Sequence, residues 1–252
     1  MYQIPELLRF PKLFHSFSTI DEGNMANSIL YKVRNFDQVV KNREKFLSKP
    51  GLSIDSCICM WVQHRDRVTI ADQKVAGVSM RDYNYAVKVD GLVTNEKGLY
   101  LFLLVADCLP LIIYDPKKEI VANVHAGWKG VDLEIAKKAV KKMKAEYECK
   151  PKNIVVGIGP CVYKESFVKE NPSQKDDPRW SEFINKVGPY YEVDLVGFTK
   201  KQLIDCGVAE ENIFDSKIDT IRDKHFFSHF RDAKEGHKDK GRFASVVGLR
   251  SN

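Results

Sequence analysis

The chain has 252 residues, 44% of them hydrophobic and 11% aromatic, with 10 prolines and a formal net charge of +6. This length buries a substantial core, and this balance excludes a disordered, fibrous or collagen-like chain. No apolar run approaches the roughly 20 residues that cross a bilayer, and the opening MYQIPELLRFPKLF carries neither a cationic leader nor a small-residue cleavage site, so a soluble cytoplasmic protein without a membrane partner is expected.

Taken in order, the strand candidates are SCICMWVQ (56–63), VDGLVT (89–94), LYLFLLVA (99–106), LPLIIYD (109–115), IVANVHA (120–126), NIVVGIG (153–159) and RFASVVGL (242–249). Each is short, rich in branched or aromatic residues and bounded by turn formers. The spacing predicts helices at about 36–48, 132–148, 179–187 and 194–206, the last closed by Gly207. IVANVHA, a helix and NIVVGIG form a crossover unit, whereas 101–126 reads as adjacent strands joined by the DPKKE turn. Polar stretches at 170–180 and 232–241 read as surface loops, the second one mobile. No linker or internal repeat divides the chain. One mixed α/β domain with a central sheet, spanning 1–252, is expected.

Six cysteines in a chain of this size without a secretion signal read as reduced thiols. The positive charge does not by itself mean nucleic acid. Lys137, Lys138, Lys141, Lys142 and Lys144 lie opposite the apolar positions Ile135, Ala139, Val140, Met143 and Tyr147, which describes a solvated helix face. With no Walker loop, zinc finger or basic-aromatic stripe, no nucleic-acid partner is expected. Oligomeric state is not legible.

Four residues stand out against their surroundings. Cys108 alone would be a packed core thiol. Its neighbour Asp107, however, is a carboxylate in an apolar run, which costs several kcal/mol unless something polar meets it. His125 ends a strand and precedes AGWKG, whose glycines suit a tight strand-to-helix turn ahead of a capping Asp132. His64 occupies a third strand end, downstream of Cys57 and Cys59, which read as core because no further paired cysteines complete a thiolate cage. Strand ends are where α/β folds build sites. His64, Cys108 and His125 would make a three-ligand zinc set with one position open. Their spacing matches no compact zinc finger, so a metal-free Cys/His catalytic pair fits the same residues.

The segments DGLVT (90–94), ADCLPLIIYDP (106–116), VHAGWKG (124–130), GIGPCV (157–162), VDLVGFTKKQLIDCGV (193–208), FFSHFRD (226–232) and GRFASVVGL (241–249) resemble the laccase-domain family. That family is called multicopper polyphenol oxidase in older naming and purine nucleoside phosphorylase in newer naming. The resemblance runs over nearly the whole chain from HSFST (15–19) onward. It implies a layered α/β sandwich akin to the catalytic domain of a glutamine-deamidating toxin. It also implies zinc on His64, Cys108 and His125, and phosphorolysis of adenosine, inosine, guanosine or methylthioadenosine together with deamination of adenosine. Purine nucleoside and phosphate would be the partners, with Asp107 orienting a ligand or relaying protons. Ser228, Arg231, Arg242 and Lys129 are the phosphate candidates, because guanidinium forks match phosphate geometry.

The chain departs from the family pattern at several positions. Ile20 stands where the family has arginine, Arg65 follows His64 in place of glycine, and Ser228-His229-Phe230-Arg231 replaces a Ser-Tyr-Arg-Arg run. Residues 232–240 form a longer insert. Arg65 and His229 are candidates to replace a lost cation. The older oxidase label requires a trinuclear copper cluster, yet the chain has six histidines and no His-x-His step. A single copper can still occupy the Cys/His/His set. Three other readings stand beside the zinc enzyme: a metal-free Cys/His hydrolase or deamidase, a copper-dependent polyphenol oxidase, and a non-enzymatic partner-binding protein.

Overall fold

The computed structural model describes residues 1–26, 28–29, 32–33, 36–236 and 240–251. Along the chain it forms β1 (Leu13–Phe17), β2 (Ser28–Ile29), β3 (Lys32–Val33), α1 (Phe36–Ser48), β4 (Cys57–Cys59), β5 (Val68–Ile70), α2 (Val78–Arg81), β6 (Gly91–Thr94) and β7 (Tyr100–Val105). Then follow β8 (Leu109–Asp115), β9 (Ile120–Ala126), α3 (Trp128–Asp132), α4 (Ile135–Tyr147), β10 (Val155–Ile158) and β11 (Val168–Lys169). The last elements are β12 (Ile184–Val187), β13 (Tyr190–Val193), α5 (Leu195–Asp205), β14 (Ile213–Asp215), α6 (His229–Lys234) and β15 (Phe243–Leu249).

Two sheets carry the fold. One has the order β1-β15-β7-β4 and the other β14-β10-β8-β9-β6-β5. Both mix parallel and antiparallel pairs. Side-chain parity explains the layers, because successive residues of a strand face opposite sides. On β7, Leu101, Leu103 and Val105 join Ile112 and Tyr114 of β8 and Val121 of β9 in a core between the sheets. Tyr100, Phe102 and Leu104 face the other way, against Phe46 and Leu47 of α1 and Met80 of α2. Leu109, Leu111 and Ile113 of β8, with Ala122 and Val124 of β9, pack beneath Ile135, Ala139, Val140 and Met143 of α4. Strands covered on both faces read as continuous apolar runs, which is why β7, β8 and β9 were legible. Asn123, fully buried in β9, bridges the sheets by donating to the carbonyls of Leu101 at 3.0 Å and Ser245 at 2.9 Å.

Several expectations need correction. The β8–β9 hairpin is as read, but β7 lies in the other sheet, so the chain changes sheets at Ala106-Asp107-Cys108. Asp107 makes that corner with φ +77°. β9 and β10 run parallel as a crossover demands, with β8 between them. The expected helix at 179–187 is a short turn at Pro178–Trp180 followed by β12, which pairs with β13 across the two-residue turn Gly188-Pro189. Gly188, at φ +59°, permits that tight hairpin. Residues 229–234 are helical, not loop, while 237–239 lie outside the described residues. Asp132 is no helix cap. It closes α3, and its carboxylate accepts from Trp180 Nε1 at 3.0 Å, anchoring the 170–180 segment. Lys137, Lys138 and Lys142 pair with Glu134, Asp66 and Glu146 on the outer face of α4.

His15 of β1 is buried, its Nε2 accepting the Ile4 N–H at 2.9 Å. Burial lowers its imidazole to about 4, from 6.5. Because the folded value lies below the unfolded one, this stability is full above 6.5 and is lost as pH falls through about 4. Denaturant unfolding at pH 7 and 4.5 is expected to show His15→Gln reducing the acid-induced loss by up to about 2–3 kcal/mol.

Candidate metal centre

His125, the penultimate residue of β9, has the parity of Val121 and Asn123, so it faces the gap between the sheets at its open edge. Cys108 follows the Asp107 corner, and His64 lies in the segment after β4. The ligand atoms of His64, Cys108 and His125 all lie within 4.8 Å of one another. The two rings meet edge to face, with centroids 4.8 Å apart. His125 is buried, Cys108 half-buried and His64 exposed, so one side of the group opens outward. One thiol and two imidazoles with an open side are a donor set that fits a divalent ion such as zinc or copper.

Asp90 holds this arrangement together, although sequence reasoning passed it over. Its buried carboxylate lies 2.9 Å from His125 Nδ1. It also accepts the main-chain N–H groups of Gln63 at 3.1 Å, His64 at 2.9 Å and Arg65 at 2.9 Å. Its own carbonyl accepts the His125 N–H at 2.7 Å. Nδ1–H donation to Asp90 turns Nε2 of His125 toward Cys108, which is how outer carboxylates orient metal-binding imidazoles. The three N–H bonds hold His64 in the left-handed region at φ +53°, a conformation that costs roughly 1 kcal/mol or more. The available signal was an acid inside the apolar segment VDGLVT, the same signal that marked Asp107.

Electrostatics favour the charged pair. Burial pushes the Cys108 thiol up, but the charge of His125 and hydrogen bonds from His125 and His64 outweigh it and bring the thiol to about 6. Burial pushes His125 down, but the Cys108 charge and the Asp90 bond raise it to about 9. Burial also opposes ionisation of Asp90, yet His125 and the N–H groups of Arg65 and Gln63 hold it below the ordinary carboxylate value. A thiolate is therefore available as a ligand near neutral pH.

Gly127 is required for space, not for torsion. Its φ is −72°, but a Cβ there would lie 3.1 Å from His125 Cε1, 3.3 Å from Cys108 Sγ and 3.4 Å from His64 Cδ2. Gly127→Ala is expected to leave the fold intact and weaken metal affinity by about tenfold or more, read by competition with a chelator. The second glycine of AGWKG, Gly130, likewise sits against the Arg65 carbonyl, 3.0 Å from its would-be Cβ.

A cavity of about 360 Å³ opens over the three residues, walled by Val62, Val162, Leu195 and the aromatic rings of Trp128, Phe167 and Phe230. Asp107 also lines it, but its carboxylate is held by the Thr220 hydroxyl at 2.7 Å and the Phe230 N–H at 2.8 Å. Of the four phosphate candidates, Arg242 lines the cavity, with Nη2 3.5 Å from His229 Nδ1. Arg231 instead donates to the carbonyls of Thr220, Asp223 and Phe226. Ser228 is fully buried and caps α6 by accepting the Arg231 N–H. Lys129 lies exposed, 5.3 Å over the Trp128 ring. His229 lines the cavity, whereas Ile20 is exposed with its N–H bonded to the His225 carbonyl.

Residues 19–250 match the family model described as multi-copper polyphenol oxidoreductase laccase. The chain belongs to this family. It is 32% identical over 219 residues to the purine nucleoside phosphorylase YlmD of Bacillus subtilis, covering 84% of this chain and 77% of that protein. It is 34% identical over 203 residues to the purine nucleoside phosphorylase LACC1 of Homo sapiens, covering 77% of this chain but only 44% of the human protein. The crystal structure of YlmD from Geobacillus stearothermophilus superposes with a TM-score of 0.84 at 25% identity, covering 96% of this chain and 93% of that one. That of YfiH from Bacillus licheniformis gives 0.83, also at 25% identity. The layered, mixed-sheet architecture is thus shared with these two solved structures. No helix among the described residues of this laccase-like protein is long and apolar enough to cross a membrane.

Proposed function

We propose that the protein is a zinc-dependent purine nucleoside phosphorylase, converting adenosine, inosine, guanosine or methylthioadenosine and phosphate into free base and ribose-1-phosphate, with deamination of adenosine as a second activity. The observation that carries this reading is a Cys/His/His cluster at the base of an apolar, aromatic-walled cavity of about 360 Å³, within the size range of small-ligand pockets. The names of the relatives point the same way. His64, Cys108 and His125 would hold the ion, which when bound supplies Lewis acidity toward a substrate oxygen and lowers the pKa of water to about 7.

The chain's own residues have distinct parts. Trp128, Phe167 and Phe230 exclude water and offer ring faces to a purine. Asp90 keeps His125 in one tautomer. Asp107 acts by holding the Phe230 amide against the cavity, and Arg242 places positive charge at its wall. Ser228 and Arg231 support α6 from beneath, and Lys129 stays at the surface.

Product analysis with adenosine, with and without phosphate, tests the reading. Adenine formed only with phosphate means phosphorolysis, and inosine means deamination. Neither product from metal-replete protein contradicts it.

One observation favours a second reading. The lowered Cys108 thiol beside His125 is also what a metal-free cysteine hydrolase or deamidase needs. In that case the purified protein would carry no stoichiometric metal and an alkylator would trap Cys108. The oxidase reading is weaker, because among the described residues His64, Cys108 and His125 form the one group of three metal-ligating side chains.

A further inference from the structure

A second cavity, of about 300 Å³, adjoins the first and shares Trp128 and Phe167 as walls. Its remaining lining comes from β11 and the polar 170–180 segment, including Lys169, Asn171, Ser173 and Gln174, with no carboxylate among the lining residues. The Lys169 ammonium lies 4.3 Å from the centroid of Phe230 and 4.8 Å from that of Phe167, at the boundary of the two cavities. Burial lowers this lysine from its ordinary value. Among the described residues it has no acidic partner. A half-buried cation resting on two rings without a counter-charge is an anion site in waiting, because its desolvation is offset only by ring quadrupoles.

Gln174 adds a second, independent feature. It is 5% exposed, yet its Nε2 has no hydrogen-bond partner. The Ser173 hydroxyl donates to Gln174 Oε1 at 3.2 Å, which orients the carboxamide and leaves its N–H₂ as the unused end. Buried donors without partners are rare in folded proteins and call for a ligand or an ion. The segment itself is firmly placed, since Trp180 is fully buried and bonded to Asp132.

We propose that this second cavity binds the phosphate consumed in phosphorolysis, with Lys169 as its counter-charge and the Gln174 amide and Asn171 as hydrogen-bond donors. The proposal rests on the phosphorolysis reading and assigns the co-substrate a place in it: nucleoside over the metal centre, phosphate across the Trp128–Phe167 boundary. A phosphate oxygen forms the bond to C1′ as the C1′–N9 bond breaks. The bonding pair leaves with the base, which takes the proton that hydrogen phosphate gives up.

The test combines kinetics with direct binding, both on metal-loaded protein. Lys169→Met is expected to raise the phosphate KM about tenfold or more, the usual worth of one hydrogen bond to a charged group, while the adenosine KM stays within about twofold. Lys169→Arg should restore the phosphate KM. Gln174→Glu, with folding checked by circular dichroism, should weaken phosphate in the same direction. Calorimetric titration with inorganic phosphate should show matching losses in Kd. An unchanged phosphate KM and Kd in both Lys169→Met and Gln174→Glu, or a rise confined to the adenosine KM, would overturn the assignment. If wild-type protein forms no phosphate-dependent adenine, the phosphorolysis reading fails, and the calorimetric comparison alone then decides whether this cavity holds the anion.

Discussion

Replacement of His64 by alanine is expected to lower kcat/KM for adenosine by about 10²–10³-fold or more, the size of effect seen when an electrostatic stabiliser of the transition state is lost. Metal content should fall in parallel. His64 is exposed and lies in an irregular segment, so its removal creates no core cavity and the melting temperature of the metal-free protein should hardly move. This variant separates the two readings of the site better than Cys108→Ala does. A metal-free pair needs only the Cys108 thiolate and the His125 imidazole, and Cys108→Ala would silence either enzyme. An active, metal-poor His64→Ala protein would therefore remove the metal from the mechanism.

Asp90→Asn is expected to weaken metal affinity by about 10–100-fold, the range for carboxylates that orient metal-binding histidines. The change is nearly isosteric, but the carboxylate serves two ligands at once. Its oxygens accept the Gln63, His64 and Arg65 N–H groups and face His125 Nδ1. An amide presents an NH₂ group to one set of these donors. It also withdraws the charge that raises His125. The diagnostic readout is partial rescue of turnover by excess zinc, which distinguishes a positioning residue from one that simply holds the fold. A circular dichroism spectrum collapsed by Asp90→Asn, with no rescue by zinc, would assign Asp90 to folding instead.

The strands buried on both faces were readable because parity and hydrophobicity coincide there: Leu109–Asp115 and Ile120–Ala126 begin and end where the residues indicate. The convergence of His64, Cys108 and His125 was readable in part, since misplaced polar residues are local signals, but His64 stands in the irregular segment after Cys57–Cys59 and not at the strand end that 56–63 predicts. Other features depended on contacts distant in sequence. Nothing in ADC announces that Asp107 turns the chain from one sheet to the other, because φ +77° at a non-glycine residue is imposed by Thr220 and Phe230 far along the chain. Arg231 and Ser228 look like phosphate ligands by type, but buried carbonyls and a helix end claim their hydrogen bonds. Lys169 went unread because a lysine on a two-residue strand looks like surface until Phe167 and Phe230 are placed beneath it. The expected helix at 179–187 failed where Gly188-Pro189 closes a hairpin, a case of turn chemistry overriding an apolar spacing.

Whether one sulfur and two imidazoles share a single ion is answered most directly by X-ray absorption at the zinc edge of the purified protein. One sulfur scatterer near about 2.3 Å and two nitrogens near about 2.0–2.1 Å, with the sulfur shell absent in Cys108→Ser, is the expected spectrum. Zinc surrounded by nitrogen and oxygen alone, or protein that binds no zinc while turning over adenosine at full rate, would contradict it.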